Sequence, residues 1–245
     1  MEIPWTELFP ELRDFERPAV ELGPQPAETG ELTATSQLGG AILWPSTLDW
    51  PRRPEGDPFI PLLQFRREDF PEIPFPPGRD LLQILWHPQF TERRPIGFLA
   101  PSTRVYWWTQ GEMADPAPTQ PEAAPGSHPG LVPRASRLAP RRRLDLPNIV
   151  DLPARLQAAL AERELTQAYR DSGACSHGSK LLGHADWLRD PVQLRCSSCG
   201  RLMSHFLSLV SDPATGLDFH DGGTGHFLMC TACERRPVTL LVEAA

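Results

Sequence analysis

Proline is the feature that most restricts how this chain can fold. Of its 245 residues, 29 are proline, well above the average usage of about 5%. Proline lacks a backbone N–H and breaks the interior of a helix, and most apolar runs of this chain contain or adjoin one. Long helices are therefore excluded almost everywhere. The sequence predicts short strands joined by ordered loops, in a chain long enough to bury a substantial core.

Four apolar runs have the length of buried or half-buried strands. They cover residues 59–65, 80–86, 104–108 and 206–210. A short helix is expected within residues 6–15. A longer helix is expected to begin at Asp151 as N-cap, with Pro153 in its first turn, and to end near Gly173. The predicted fold class is α+β, with mostly short antiparallel strands and few helices.

Residues 114–150 differ in composition from the rest of the chain. They are rich in Pro, Ala, Gly and Arg and contain few large apolar side chains, so they offer little surface to bury. We expect an exposed connector in which Arg141-Arg142-Arg143 is solvated, although this run suits an acidic partner as well. The connector divides a single domain into a first half-repeat, 1–113, and a second half-repeat, 151–245.

An internal repeat supports this division. Residues 36–44 and 179–187 share the pattern Ser-x-Leu-x-Gly-x-x-x-Trp. Both copies are followed by a turn that contains proline and then by an apolar strand. Duplication explains the shared order better than chance does, and it predicts two related half-sheets packed into one unit.

Two cysteine pairs indicate a metal site in the second half. Cys196 and Cys199 form one Cys-x-x-Cys turn, and Cys230 and Cys233 form another. Four thiolates suit tetrahedral zinc and leave no open position, so the expected role is structural. Buried unrelated thiols or a disulfide pair are the alternatives. The 30 residues between the pairs exceed a common zinc-ribbon interval, so the intervening strands are expected to belong to the domain sheet.

Two further groups of residues have types that occur in active sites. The Gly-rich segment 220–226 contains His220, Asp221 and His226, which suits anion binding or acid–base chemistry. A hairpin turn between strands at 217–219 and 227–229 explains its glycines equally well. Cys175 and His177 suit a nucleophile and its base or a metal pair, but we favour an incidental pairing because no third group orients them.

The charge of the chain bears on its partners and location. The formal net charge is −7, and Lys180 is the only lysine. Nucleic acids and acidic membranes are held mainly by excess basic residues, so we expect neither as a partner. No apolar run is long enough to span a bilayer, and the first residues lack a secretory pattern. We expect a cytoplasmic protein, where paired Cys-x-x-Cys turns more often hold metal than form disulfides.

Several of these segments resemble the YwqG-like family of bacterial domains of unknown function. The segments are Ser36-Gln37-Leu38-Gly39-Gly40, Trp44-Pro45, the strand ending in Gln64, residues 180–187 and Asp221-Gly222-Gly223-Thr224-Gly225. The resemblance implies one α+β domain with two pseudo-repeated halves, and some members also have Cys pairs in the second half. The chain departs from the family pattern at residues 41–43 and at Leu182. Members are similar to proteins encoded near polymorphic toxins, which implies an immunity or antitoxin role.

The combined expectation is a zinc-stabilised protein-binding module of the bacterial cytoplasm, with a toxin as its partner and no enzymatic activity. One alternative is a small-ligand binder or hydrolase-like enzyme that uses the His220-Asp221 loop. A second alternative is a zinc-ribbon nucleic-acid binder, which the acidic balance disfavours. Trp107 and Trp108 are adjacent on a predicted strand, so one of them could face outward and contact a partner.

Overall fold

A computed structural model describes residues 3–27, 34–92, 99–115, 117 and 119–244. The helices are α1 Trp5–Leu8, α2 Ala154–Glu162 and α3 Thr166–Asp171, with short 3-10 turns at Pro10–Phe15, Gln110–Met113, Pro129–Leu131 and Ile149–Asp151. The strands are β1 Arg17–Glu21, β2 Pro24–Pro26, β3 Gln37–Leu38, β4 Ile60–Arg66, β5 Leu81–Trp86, β6 Thr103–Trp108, β7 Ser136–Leu138, β8 Arg141–Asp145, β9 Lys180–Leu182, β10 Ser204–Val210, β11 Thr224–Met229 and β12 Val238–Glu243. The predicted fold class, mainly antiparallel strands with few helices, is confirmed.

In the part of the chain that the structure describes, the strands form two six-stranded antiparallel sheets with equivalent strand orders. The N-terminal sheet has the order β2-β7-β3-β4-β5-β6, and the C-terminal sheet has the order β8-β1-β9-β10-β11-β12. The main apolar core contains side chains from both sheets, such as Leu63 and Trp86 from one and Phe206 and Phe227 from the other. The two sheets therefore pack face to face, and each also has an outer face.

Two pairs of strands pass from one sheet to the other. β1 lies in the C-terminal sheet and β2 in the N-terminal sheet, whereas β7 lies in the N-terminal sheet and β8 in the C-terminal sheet. The two crossings meet where the backbone N–H of Ala139 donates to the carbonyl oxygen of Leu22 at 2.9 Å. Gly23 has a φ of +50°, and a Cβ there would lie 2.7 Å from the Ala139 carbonyl oxygen. This close approach requires glycine.

The predicted connector contains the strands β7 and β8, and it is exposed only in part, since β8 is mostly exposed whereas β7 is mostly buried. Ser136 and Asp145 are fully buried within the predicted connector. β7 is paired on both sides, with β2 and β3, so its backbone groups are satisfied without large apolar side chains. The arginine run lies on the edge strand β8, where Arg141 and Arg143 bind Glu21 and Arg142 binds Glu72. The boundaries of the half-repeats themselves stay a prediction.

The two repeated segments adopt the same local conformation. Gly39 and Gly40 have φ values of +63° and +70°, and Leu182 and Gly183 have values of +58° and +64°. The Ser36 hydroxyl accepts a hydrogen bond from the backbone N–H of Arg66 at 2.9 Å, at the end of β4. Ser179 accepts the equivalent bond from Val210 at the end of β10, at 3.1 Å. Leu182 thus adopts the left-handed conformation that glycine adopts in the first copy.

Both expected helices differ from the prediction in detail. The segment after Asp151 forms two helices rather than one, because Glu164 has a φ of +58° and ends the first. Asp151 lies in a 3-10 turn, and Pro153 is the N-cap of α2. In the N-terminal segment, α1 ends before Pro10, which cannot donate a backbone hydrogen bond. Among the described residues no helix is long and apolar enough to cross a membrane.

Candidate metal centre

The first cysteine turn lies at the tip of a short hairpin on the C-terminal sheet. The arms of this hairpin are joined by a bridge between Arg195 and Leu202 and by the bond from the N–H of Cys196 to the carbonyl of Arg201, at 2.8 Å. Gly200 has a φ of +72° with open space around its Cα, as expected for a turn residue after the second cysteine. The turn therefore directs both thiols to one side.

The second cysteine turn connects β11 to β12. Cys230 directly follows β11 and is fully buried, and its N–H donates to the carbonyl of Pro237 at 2.9 Å. The N–H of Arg236 donates to the carbonyl of Cys233 at 3.0 Å, which closes the turn. The strands between the two cysteine pairs belong to the C-terminal sheet, as expected from the long interval.

The four thiols meet at one point. The Sγ atoms of Cys196, Cys199, Cys230 and Cys233 all lie within 4.8 Å of one another. The Sγ of Cys199 lies 3.5 Å from that of Cys230, and the Sγ of Cys196 lies 3.8 Å from that of Cys233. In a tetrahedral site with Zn–S bonds of about 2.3 Å, sulfur atoms are roughly 3.8 Å apart. This arrangement could hold a metal ion, and in the described residues, which include all five cysteines, every cysteine is a free thiol.

The local electrostatics favour ionisation of one thiol before the others. The pKa of Cys196 is lowered to about 6, chiefly by the hydrogen bond from the backbone N–H of Ser198. The pKa of Cys233 is raised to about 12, chiefly by its hydrogen bond with the thiol of Cys199. A first thiolate is thus stabilised by backbone N–H groups and by neighbouring S–H donors. A cation at the centre would replace those protons.

The Gly-rich segment does not assemble its polar side chains into one site. His220 has a φ of +66°, and its ring packs on Phe90 with centroids 4.2 Å apart. His226 is fully buried within β11, where it contacts Ser208 and Glu243. Asp221 is exposed. The expected strand at 217–219 is reduced to a single bridge between Asp212 and Leu217.

Cys175 and His177 bind different partners. The thiol of Cys175 is buried 3.4 Å from Nζ of Lys180, and burial raises the pKa of this thiol to about 12. His177 Nδ1 lies 2.5 Å from a carboxylate oxygen of Asp186, and its Nε2 lies 3.0 Å from the carbonyl oxygen of Arg170. The hydrogen bond with Asp186 raises the pKa of His177. A protonated thiol without a free imidazole beside it is a poor nucleophile.

Trp107 and Trp108 both pack against other rings, on opposite faces of β6. Trp107 contacts Phe75 with centroids 5.5 Å apart, and Trp108 contacts Trp44 at 5.6 Å. Both indole side chains are partly buried. The expected alternation of the strand is present, and each face is covered by a neighbouring ring.

A buried polar row crosses the outer face of the C-terminal sheet. The hydroxyl of Ser208 lies 3.0 Å from Nδ1 of His226, whose Nε2 lies 3.1 Å from a carboxylate oxygen of Glu243. Another contact joins Ser208 to Nε2 of His205 at 2.8 Å. The Trp187 ring covers His226, with centroids 4.6 Å apart. These residue types resemble a catalytic triad, but Ser208 and His226 are 2% and 0% exposed.

The N-terminal sheet has an equivalent row. Nε2 of Gln83 donates to Oε1 of Gln64 at 2.8 Å, and Nε1 of Trp108 donates to Oε1 of Gln83 at 2.8 Å. Gln64 also accepts from the backbone N–H of Leu43, beside Trp44. Gln64, Gln83 and Trp108 lie on β4, β5 and β6. They occupy the positions that correspond to Ser208, His226 and Glu243 on β10, β11 and β12. In the C-terminal sheet the corresponding contact is the carboxylate of Glu243, which accepts from the backbone N–H of Leu188, beside Trp187, at 3.1 Å. In both sheets the row therefore binds the backbone next to a tryptophan that packs on the outer face.

A comparison with curated proteins found no match. A family model described as a domain of unknown function, DUF1963, matches residues 36–232. The match includes both repeated segments and three of the four clustered cysteines, whereas Cys233 lies just beyond it. It also spans the two strands β7 and β8 within the predicted connector. The chain therefore belongs to the DUF1963 family.

Proposed function

We propose that this protein is a zinc-stabilised protein-binding module of the bacterial cytoplasm. The observation that carries the proposal is the cluster of four thiols within 4.8 Å. Thiolate-only sites with tetrahedral spacing suit zinc, and four protein ligands leave no position for water or substrate. The zinc then joins the hairpin 195–202 to the end of β11 and has a structural role.

The other polar clusters support binding rather than catalysis. His226 and Ser208 belong to a buried row that ends at Glu243, whose carboxylate accepts from the backbone N–H of Leu188 at 3.1 Å, and His177 is held by Asp186. Cys175 is a buried thiol with a raised pKa. These four groups are thus engaged in a structural contact or, in the case of Cys175, protonated. A protein that acts by occupying the surface of a partner needs none of these groups free.

A toxin is the partner that we propose. The resemblance to YwqG-like proteins, whose members are similar to proteins encoded near polymorphic toxins, supports an immunity role. The net charge of −7 also suits a basic partner, because opposite charge speeds association and disfavours nucleic acid.

Two measurements test the proposal. Metal analysis of protein purified without added zinc is expected to find about one zinc ion per chain. A folded chain with four free thiols and no metal would disprove the zinc site.

A second measurement tests the partner. The chain is mixed with a toxin domain encoded beside its gene, and the mixture is analysed by size-exclusion chromatography. A stable complex that abolishes toxicity in co-expressing cells is expected, and the absence of both effects would disprove the immunity role.

A further inference from the structure

The metal centre combines one exposed cysteine residue with a buried cysteine beside it. Cys199 is exposed, whereas Cys196 and Cys230 are buried and Cys233 is partly buried. The Sγ of Cys199 lies 3.5 Å from that of Cys230, closer than the 3.8 Å between Cys196 and Cys233. An oxidant in solvent can therefore reach Cys199 first, and Cys230 lies within reach of the oxidised sulfur.

We propose that Cys199 and Cys230 form an oxidation site at which a hydroperoxide produces a disulfide and releases the metal. This inference rests on the zinc site proposed above and adds a means of regulating it. It concerns a pair of cysteines from different turns, not a pair within one Cys-x-x-Cys turn. The disulfide would thus join the tip of the hairpin 195–202 directly to the end of β11.

The chemistry balances with one hydroperoxide per disulfide. The Cys199 thiolate attacks the peroxide, so that an S–O bond forms, the O–O bond breaks, and the leaving oxygen takes a proton as water or alcohol. The Cys230 thiolate then attacks the sulfenic sulfur. An S–S bond forms, the S–O bond breaks, and the hydroxide leaves as water after taking a second proton. The two sulfurs are oxidised and the peroxide is reduced. Two thiolates remain, too few to retain zinc at a four-ligand site.

The hairpin that carries the first cysteine pair also packs on an apolar cluster at the outer face of the C-terminal sheet. Leu194 and Met203, at the base of the cysteine hairpin, pack against Trp187, Leu228 and Leu241. A backbone bond from Met203 to Leu194, at 2.8 Å, holds these two residues together. After oxidation the Cys199–Cys230 disulfide keeps the hairpin attached to β11, but the links through Cys196 and Cys233 are lost, so this apolar cluster is held under fewer constraints.

The test treats zinc-loaded protein with one equivalent of hydrogen peroxide and follows three signals. A zinc-sensitive dye is expected to report one zinc ion released per disulfide formed. Trypsin places Cys196 and Cys199 in peptide 196–201 and Cys230 and Cys233 in peptide 202–235, so the proposed disulfide joins the two peptides. Fragmentation after alkylation is expected to find Cys196 and Cys233 blocked. Thiol reductant and added zinc are expected to restore the starting state.

The controls separate this inference from the zinc site itself. Cys175→Ser removes a thiol outside the cluster and is expected to release zinc at the wild-type rate. Cys199→Ser removes a metal ligand as well as the proposed site of attack, so it is compared by the rate at which it consumes hydrogen peroxide, which is expected to be lower than that of the natural chain. If that variant does not fold, peptide mapping of the natural chain still shows whether the disulfide joins Cys199 to Cys230. Zinc that stays bound while peroxide is consumed, or a disulfide within one Cys-x-x-Cys turn, would overturn the oxidation site but leave the zinc site intact. Absence of zinc at the outset would instead overturn the proposed function.

Discussion

The ammonium group of Lys180 lies 2.8 Å from the carboxylate of Asp145, and both side chains are fully buried. The other oxygen of Asp145 accepts a hydrogen bond from the backbone N–H of Ser176 at 2.8 Å. The oxygen that binds Lys180 also accepts from the N–H of His184 at 2.9 Å. This network links β8 to β9 across β1, which lies between them. Its two charges compensate each other in a region from which water is excluded.

Removing one of these charges is expected to destabilise the fold strongly. Lys180→Met leaves the Asp145 carboxylate buried without its cation, and the free energy of unfolding should fall by about 3–5 kcal/mol. The double variant Lys180→Met with Asp145→Asn should recover part of this loss because neither charge remains. Urea unfolding measures both. As a control, Arg141→Met removes a salt bridge from an exposed arginine and should cost less than about 1 kcal/mol. Equal losses for Lys180→Met and Arg141→Met would contradict the argument.

Two glycines with the same backbone conformation should respond differently to alanine. Gly183 has a φ of +64°, and a Cβ there would lie 2.5 Å from Oδ2 of Asp145 and 2.8 Å from Cβ of Ala19. Gly173 has a φ of +68° and open space around it. Gly173→Ala should cost about 1–2 kcal/mol for the left-handed backbone alone. Gly183→Ala should cost distinctly more because it also disturbs Asp145. The melting temperatures of the two variants measure this difference. A smaller loss of stability for Gly183→Ala than for Gly173→Ala would count against this packing.

Stability is expected to fall in mild acid because of His184. Burial lowers the pKa of His184 to about 4, while its Nε2 lies 2.7 Å from the carbonyl oxygen of Phe15. The unfolded chain binds a proton near the ordinary pKa of about 6.5, and the folded chain does so only near 4. The stability that neutral His184 contributes to the folded chain is therefore complete above the unfolded pKa. It is lost, by up to about 3 kcal/mol, as the pH falls from the unfolded pKa toward the folded pKa. Burial also lowers the pKa of His205, so this residue adds to the loss of stability in acid.

Substitutions of two histidines separate this effect from general acid sensitivity. His184→Gln should flatten the fall in stability between neutral pH and pH 4, measured by urea unfolding at several pH values. His177 behaves oppositely, since the hydrogen bond with Asp186 raises its pKa. The stability that protonated His177 contributes is present below its unfolded pKa and is lost as the pH rises through its folded pKa. His177→Gln should therefore lower stability at pH 5.5 more than at pH 8. An unchanged pH profile for His184→Gln would show that other groups dominate.

Loss of one ligand of the metal centre should affect stability more than loss of the fifth cysteine does. Cys230→Ser removes a fully buried ligand and should lower the free energy of unfolding by more than about 3 kcal/mol, because the metal no longer binds. A chelator should have a similar effect on the natural chain. Cys175→Ser should retain the metal in full. Elemental analysis and thermal unfolding measure both variants, and a stable, metal-free Cys230→Ser protein would argue against a structural metal.

The sequence predicted those parts of the fold that have a local signal. The strands β4, β5, β6 and β10 were found because each is an apolar run with turn residues nearby. The thiol cluster was found because the spacing within each Cys-x-x-Cys turn is itself a ligand geometry. The repeat was found from four matching residues, and the structure gives both copies the same left-handed bend.

The remaining features depend on contacts between distant residues. β7 and β8 have few apolar side chains, and they form strands because partners more than a hundred residues away complete their hydrogen bonds. Lys180 and Asp145 are 35 residues apart, and neither residue type is expected in a core. The row of Ser208, His226 and Glu243 becomes visible in the sequence only after β10, β11 and β12 have been aligned with β4, β5 and β6. Such an alignment can be made only after the boundaries of these strands are known.

The reciprocal crossing of β1–β2 and β7–β8 makes each half of the chain dependent on the other. β1 lies in the C-terminal sheet and β7 in the N-terminal sheet, so a fragment with β1–β6 alone would lack β7 and would leave β1 and β2 without a paired strand. Two identical repeats would satisfy each other only as an intertwined homodimer. The exchange of β1 and β7 between the two sheets of this chain has the form that such a dimer would have. Fragments separated between β6 and β7 should accordingly be insoluble alone and reassemble when mixed.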